Sequence, residues 1–124
     1  MITEDYVKFE TAKLLKDKGF DEYCGYYNSD GEHCGYCVYN HKGKDYISAP
    51  TLQMAMKWLR EVKDIYIDVT SRFSFNADKD VCFSYSIKLV DKYKSNWIAN
   101  EDGEWLTYEE ACEAAIKYCL ENLI

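Results

Sequence analysis

Residues 48–69 read SAPTLQMAMKWLREVKDIYIDV, and within this stretch a helical pattern passes directly into a strand pattern. In its first half, apolar residues recur every three or four positions, which places them on one face of an amphipathic helix. These residues are Leu52, Ala55, Trp58, Leu59 and Val62. The helix should begin near Pro50, with Thr51 as its N-cap or with the proline itself in the first turn. After Asp64 the period changes to two, so we expect a half-buried strand to follow at once.

Helical patterns also mark both ends of the chain. The hydroxyl of Thr3 and the two carboxylates after it predict a helix start, and Gly19 predicts a helix end, so this helix should cover about residues 4–18. Near the other end, Thr107 and Glu110 have the spacing of a capping box, in which each side chain bonds the other residue's backbone amide. A third helix is expected to follow. Its apolar face consists of Tyr108, Ala111, Cys112, Ala115, Ile116, Cys119 and Leu123.

Strand patterns fill the rest of the chain. Tyr-rich segments alternate with turn residues before the central helix and predict short strands near residues 24–28, 36–40 and 45–47. After that helix, alternate residues are apolar in two segments, which predicts a long antiparallel hairpin with both apolar faces on one side of the sheet. These residues are Ile65, Ile67, Val69, Phe73 and Phe75, then, after the polar loop NADKD, Val81, Phe83, Tyr85, Ile87 and Leu89. A further strand near 96–99 and a turn at 100–103 are expected before the last helix.

This order of elements predicts the α+β class, with a mainly antiparallel sheet and about three helices packed on one of its faces. The length of 124 residues is typical of one domain, so we expect residues 1–124 to form a single globular domain. Hydrophobic residues make up 48% of the chain and there is a single proline, which is a globular composition and not a disordered one.

The charge of the chain bears on its partners and location. A net charge of −7 repels phosphate backbones and anionic membrane surfaces, so we expect neither nucleic acid nor a membrane as a partner. The opening MITEDYV carries acids where a signal peptide carries bases, and no uncharged run is long enough to span a membrane. We therefore expect a cytoplasmic protein, in which most of the six cysteines are reduced core residues.

One group of residues has the character of metal ligands: Cys24, Cys34, Cys37 and His41, with His33 as a substitute. Zinc prefers four such ligands at tetrahedral corners, and a Cys-x-x-Cys turn can present two thiolates to one ion. Cys34 and Cys37 could also form a redox pair. With His33 or His41 as base, one of them could instead act as a thiol nucleophile. The competing interpretation is that these thiols are simply buried and reduced, and it leaves the protein without a cofactor.

Six tyrosines lie close together in the sequence: Tyr23, Tyr26, Tyr27, Tyr36, Tyr39 and Tyr46. Tyrosine supplies a large contact area at low cost in conformational entropy, so Tyr26, Tyr27, Tyr36 and Tyr39 are candidate binding residues. Tyrosine is also an ordinary strand residue, and the rings could instead cover the sheet and one another.

An acidic run precedes and enters the last helix: Glu101, Asp102, Glu104, Glu109, Glu110 and Glu113. Carboxylates near a helix start are stabilised by the helix dipole, so a solvated face accounts for most of the run. The sharper interpretation is an acidic mimic of DNA that inhibits a host protein, which requires the carboxylates to be contiguous on one surface. The chain contains no Gly-rich phosphate loop, Gly-x-Ser-x-Gly or His-Glu-x-x-His motif, so we do not expect an enzyme.

Three segments carry a resemblance to known sequences: MITEDYVKFETAKLLKDKGFDE, APTLQMAMKWLRE and YEEACEAAIKYCLENL. They are similar to a group of short uncharacterised proteins carried by phages and mobile elements of gut Bacteroidales. That group has no assigned activity, so the resemblance implies a setting and not a reaction. We therefore expect a small, non-enzymatic accessory protein that acts through contacts with a host or phage protein. The alternatives are the zinc-stabilised binding module and the acidic DNA mimic.

Overall fold

The structure is a computed structural model that describes residues 2–73, 81–90 and 95–124, without the side chains of Tyr36 and of residues 95–103. The α-helices in this part of the chain are α1 (Phe9–Asp17), α2 (Leu52–Lys63) and α3 (Tyr108–Asn122). The strands are β1 (Cys24–Tyr27), β2 (His33–Val38), β3 (Ile47–Ser48), β4 (Ile65–Phe73), β5 (Val81–Val90) and β6 (Ser95–Trp105), with a short 3-10 turn at Asn40–Lys42. The α+β class predicted from the sequence is confirmed.

The strands pair antiparallel, as expected, but they are divided between two sheets. The first sheet has the order β2-β1-β3 and the second the order β4-β5-β6. Helix α2 connects β3 to β4, with three residues between β3 and the helix and one residue between the helix and β4. The strands before α2 therefore form one sheet and the strands after it form the other, and the stretch 48–69 carries the chain between them.

The pairing of β4 with β5 follows the predicted hairpin. Ile67 lies opposite Ile87 and Val69 opposite Tyr85, so the odd-numbered residues of both strands share one face. The predicted inward residue Phe75 and the loop at 76–80 lie outside the described residues.

Strand β6 is much longer than the segment 96–99 predicted from the sequence, and the turn expected at 100–103 is wrong. Between Phe83 and Tyr85 of β5 the partner in β6 changes from Trp105 to Asn100, so the pairing shifts register there. The glycine and acidic residues that favour a turn are accommodated as an irregularity within one strand.

The core is formed where α2 and α3 pack on the second sheet and α1 packs on α3. The predicted apolar face of α3 is confirmed at its centre, where Cys112, Ala115, Ile116 and Cys119 are fully buried. The predicted face of α2 is wrong at one end, because Val62 is 54% exposed. Within the described ranges, no helix is long and apolar enough to cross a membrane.

Helix α1 begins at Phe9, about five residues later than the cap signal at Thr3 predicted. The chain before it is extended and pairs with the segment that leads into α2. The Val7 amide donates to the Pro50 carbonyl at 3.0 Å, and the Leu52 amide donates to the Asp5 carbonyl at 3.0 Å. These backbone bonds use groups that a helix from residue 4 would need, so tertiary pairing overrides the local cap.

The N-terminal end of α1 is held by a carboxylate from α3. The backbone amide of Lys8, at the N-cap position, donates to Glu113 Oε1 at 3.0 Å, and the Thr11 hydroxyl donates to the same oxygen at 2.5 Å. Negative charge is stabilising at this end of a helix. Glu113 was expected on the solvated face of α3, and its actual role is to join two helices.

The N-caps predicted for α2 and α3 and the glycine predicted at the end of α1 are confirmed. Thr51 and Thr107 are the N-caps of α2 and α3, and their hydroxyls accept bonds from the amides of Met54 at 3.2 Å and Glu110 at 3.1 Å. Gly19 ends α1 with a positive φ of 96°, a conformation that favours glycine.

Replacement of Glu113 by alanine should lower the free energy of unfolding by about 1–3 kcal/mol, because the hydroxyl of Thr11 is buried and would lose its acceptor. Urea denaturation measures this change. Glu113→Gln keeps an acceptor oxygen and should lose less, and Glu109→Ala, on the exposed side of α3, serves as the surface control. Equal losses for Glu113→Ala and Glu109→Ala would contradict the role given to Glu113.

Candidate functional site

The loop after α1 is fixed by one buried side chain, Asn40. Its Nδ2 donates to the Phe20 carbonyl at 2.6 Å, and its Oδ1 accepts from the Ser48 amide at 2.7 Å. Phe20, Asn40 and Ser48 are all buried. A buried amide must find partners for both of its polar ends, so Asn40 ties the loop, the 3-10 turn and β3 into one geometry.

Asp21, which follows Phe20 in the loop, holds the imidazole of His41. Its Oδ1 accepts from the His41 backbone amide at 3.0 Å, and its Oδ2 lies 2.7 Å from His41 Nδ1. The side-chain hydrogen bond to His41 lowers the pKa of Asp21 below its ordinary value. With Nδ1 engaged in this way, the imidazole is held in one orientation at the surface.

Two exposed tyrosine rings continue from this imidazole. Tyr39 stacks on His41 with ring centroids 5.3 Å apart and an interplanar angle of 26°. Tyr23, which is 60% exposed, lies against Tyr39 with centroids 5.2 Å apart. The three rings form a row on the surface. The His41 end of the row is held by Asp21, and Asn40 fixes the loop that contains Asp21.

A groove of about 250 Å³ lies along the outer side of α2. Its lining residues are Glu22, Met54, Lys57, Trp58, Glu61 and Val62. Met54, Trp58 and Val62 are four residues apart, so they lie on one stripe of the helix. Trp58 packs edge-to-face on Phe20 with centroids 5.4 Å apart, and only 6% of its surface is exposed. The floor of the groove is therefore apolar, and its walls carry charge.

The groove and the row of rings are linked through the chain, because Glu22 lines the groove and Tyr23, which follows it directly, belongs to the row. We call the six groove residues, together with Tyr23, Tyr39 and His41, the α2–tyrosine surface. It combines an apolar floor, exposed aromatic rings and carboxylates at the edge. Such a surface can contact another polypeptide through both apolar side chains and charge.

Of the four tyrosines singled out from the sequence, the three whose side chains the structure describes lie in different surroundings. Tyr39 belongs to the α2–tyrosine surface, whereas Tyr26 packs against Tyr46 with centroids 5.0 Å apart. Tyr27 donates its hydroxyl to the Val7 carbonyl at 2.7 Å, and burial, followed by the charge of a nearby glutamate, raises its pKa. The side chain of Tyr36 lies outside the described part of the structure, although its backbone belongs to β2.

Sequence reasoning missed most of the α2–tyrosine surface. The spacing of Met54, Trp58 and Val62 is visible in the sequence, but the same spacing is typical of a buried helix face. Tyr23 was noted among the clustered tyrosines and was not chosen as a candidate. A signal that could have distinguished Tyr23 from the other tyrosines is its position directly after the acidic pair Asp21 and Glu22, before the first strand.

The proposed zinc ligands are not brought together. In the part of the chain that the structure describes, which includes Cys24, Cys34, Cys37 and His41, no group of three or more such side chains could hold a metal ion. The pairing of β1 with β2 shifts register between Cys24 and Tyr26, so the Cys-x-x-Cys segment lies in an irregular part of β2. His41 is already bonded to Asp21. The geometry thus gives no support to the metal-site hypothesis.

His33, the substitute ligand, lies within an aromatic cluster. Its ring is 4.3 Å from that of Tyr6 and 5.5 Å from that of Tyr27, between centroids. It also covers Gly25, where an added Cβ would lie 3.2 Å from His33 Nε2. This close approach explains why glycine suits that position in β1.

The thiols give no geometric support to the catalytic hypothesis. Burial raises the pKa of Cys24, and it raises those of Cys112 and Cys119 to about 11 and about 12. A raised pKa keeps a thiol protonated and inert. Cys34 and Cys37 are more accessible, and the sulfur of Cys34 lies 3.8 Å from the Glu32 carbonyl.

The acidic run is divided among different surroundings. Glu104 lies 3.6 Å from Arg72 on the second sheet, and Glu113 is bonded to α1. Glu109 and Glu110 are exposed in the first turn of α3. The side chains of the first two members, at 101 and 102, lie outside the described residues. At least two of the six carboxylates are therefore engaged within the chain.

Comparison with known proteins gives no relative from which a role could be transferred. No protein-family model, curated protein or solved structure matches this chain.

Replacement of Asn40 by alanine should lower the free energy of unfolding by roughly 2–3 kcal/mol, because the Phe20 carbonyl and the Ser48 amide would be buried without a partner. The matched control is Asn122→Ala, which removes an exposed amide that donates to the Tyr118 carbonyl and should cost less than about 0.5 kcal/mol. Urea denaturation of both variants measures the difference. A loss for Asn40→Ala no larger than that of the control would contradict the structural role of Asn40.

Labelling of the folded protein with a thiol reagent at neutral pH should modify Cys37 and Cys34 well before the other four cysteines, which are buried. Mass spectrometry of digested protein identifies the labelled positions, and labelling in urea provides the reference in which all six react. A chelator should leave the pattern unchanged. Rapid labelling of Cys112 or Cys119 in the folded state would be inconsistent with their burial.

Proposed function

We propose that this chain is a non-enzymatic protein-binding domain that takes up a segment of another protein on the α2–tyrosine surface. The observation that carries the proposal is the exposure of an apolar side chain in the groove and of aromatic rings in the row, two features linked by the consecutive residues Glu22 and Tyr23. Val62, which lines the groove together with the nearly buried Trp58, is 54% exposed, and Tyr23 is 60% exposed. Interface cores are enriched in aromatic residues and methionine, and the groove has both.

The charges at the groove predict the chemistry of the partner segment. Among the described residues that line the groove, Glu22 and Glu61 supply two carboxylates and Lys57 one ammonium group, and Lys63 Nζ lies 5.6 Å from the centroid of the Trp58 ring. The ring of Tyr23, which is 60% exposed at the end of the row, can accept a guanidinium group through a cation–π contact. We therefore expect the partner segment to combine two features. An apolar side chain enters the groove, and an arginine or lysine faces the carboxylates and rings. The net charge of −7 favours the approach of such a basic segment.

Two further observations favour binding over chemistry at this surface. The described residues that line the groove include no serine, cysteine or histidine that could act as a nucleophile or base. The imidazole of His41 is at the surface, with Nδ1 held by Asp21 and one face covered by Tyr39. Its position suits contact with a partner more than proton transfer within an enclosed site.

The resemblance to short proteins of phages and mobile elements supports a role for this domain as an accessory protein. In that role it acts on a host or phage protein through the α2–tyrosine surface. The basic and apolar chemistry of the segment, rather than a reaction, then determines which protein it binds.

The proposal is tested by selection from a displayed library of short random peptides, followed by titration calorimetry with the enriched peptides. We expect these peptides to contain a large apolar residue together with arginine or lysine. Val62→Asp places a charge in the apolar groove and should weaken their binding at least about tenfold. Leu106→Asp is the control, since Leu106 is 46% exposed and does not line the groove.

The control variant should bind the peptides as the unchanged protein does. Enrichment of acidic peptides, or equal binding by Val62→Asp and the unchanged protein, would refute the assignment of this surface. Circular dichroism spectra of both variants establish that the fold is retained.

A further inference from the structure

Among the described strands, β4 is an edge of the second sheet, and its sequence lacks the proline, lysine or bulge that commonly protects an edge. The order β4-β5-β6 leaves one side of Ile65–Phe73 without a paired strand among the described residues. The strand reads IYIDVTSRF, with no proline, glycine or lysine, and it pairs with β5 over nine residues without a register shift. Natural edge strands are commonly blunted by prolines, lysines or bulges, which prevent pairing with another chain.

The direction of the outward backbone groups follows from one hydrogen bond. The Val90 amide donates to the Asp64 carbonyl at 3.1 Å, and this pair continues the register in which Ile65 faces Leu89. Residues 64 and 90 are thus a hydrogen-bonded pair, and such pairs alternate along an antiparallel ladder. The even-numbered residues of β4 therefore bond to β5. The odd-numbered residues from Ile65 to Phe73 direct their amides and carbonyls away from the sheet.

We propose that two copies of this chain associate through β4, which pairs antiparallel with β4 of the second copy and joins the two sheets into one. The register that we assign places Thr70 opposite Thr70 of the second copy. In that register the outward-facing odd residues form the hydrogen-bonded pairs, as the ladder requires. Val69 then faces Ser71 of the second copy, and Ile67 faces Phe73 of the second copy.

Charge complementarity selects this register. It places Asp68 directly opposite Arg72 of the second copy, in a pair without backbone hydrogen bonds, where side chains approach most closely. Within one chain, Asp68 lies 3.4 Å from Lys88, and Arg72 lies 3.6 Å from Glu104. Association would link these ion pairs into a row of alternating sign, from Lys88 through Asp68 and the second copy's Arg72 to its Glu104. The two-fold axis repeats the row on its other side.

The same register covers an exposed aromatic ring. Phe73 is 79% exposed, although odd-numbered residues of β4 lie on the face that packs against the helices. Opposite Ile67 of the second copy, the ring gains an apolar neighbour on that face. None of these residues belongs to the α2–tyrosine surface, so the association is independent of the proposed function and would present two such surfaces.

Sedimentation velocity over a range of protein concentrations tests the proposal. The unchanged chain should form a dimer as its concentration rises. Asp68→Arg and Arg72→Asp each place like charges opposite one another, so each variant alone should remain a monomer under conditions in which the unchanged chain dimerises. An equimolar mixture of the two variants restores opposite charges at both positions and should dimerise. A monomeric unchanged chain at every concentration, dimers of either single variant alone, or a mixture that stays monomeric would overturn the proposal.

A backbone variant separates pairing at this edge from other modes of association. Ser71→Pro removes an amide that points away from β5, so the ladder with β5 keeps its hydrogen bonds while pairing with a second copy is lost. We expect a folded monomer by circular dichroism and sedimentation. Ser71→Ala keeps the amide and should dimerise like the unchanged chain. A folded Ser71→Pro variant that still dimerises would overturn the assignment of the β4 edge.

Discussion

The close packing of α3 against both neighbouring helices and the second sheet is the interaction on which the rest of the structure depends. Its buried face is built largely from alanine and cysteine, and small side chains allow neighbouring backbones to approach closely. Ala115 and Cys119 are fully buried at the centre of this contact. Glu113 adds a polar link to the start of α1, so the position of the N-terminal helix depends on α3 as well.

Helix α2 has two roles because it is apolar on more than one side. One side packs into the core through residues such as Leu59, and the stripe from Met54 to Val62 forms the floor of the open groove. Trp58 serves both sides, since its ring packs on buried Phe20 while its outer part lines the groove. The neighbouring rings are positioned from within by Asn40, so the candidate surface rests on a buried hydrogen bond and not on a flexible loop alone.

The sequence by itself determined the features that depend on neighbouring residues. The N-caps Thr51 and Thr107 and the C-terminal glycine Gly19 lie where local chemistry predicts, because each satisfies backbone groups within its own helix end. The passage from α2 to β4 at Asp64 was visible in the change of period, and Asp64 adopts a left-handed φ of 55° there. Alternation likewise predicted the face that β4 and β5 share and so the α+β class.

Only the tertiary structure decided features in which distant segments compete for the same groups. The helix predicted to start after Thr3 does not form there, because residues 5–7 bond to the segment at the start of α2. Val62 was expected in the core, but it lies in the last turn of α2 and is exposed. Tyr26 and Tyr27 have different surroundings because adjacent strand residues point to opposite faces of the sheet. The segments that pack on each face come from distant parts of the chain. A pattern along the chain shows which side chains share a face, but what covers that face depends on where other elements pack.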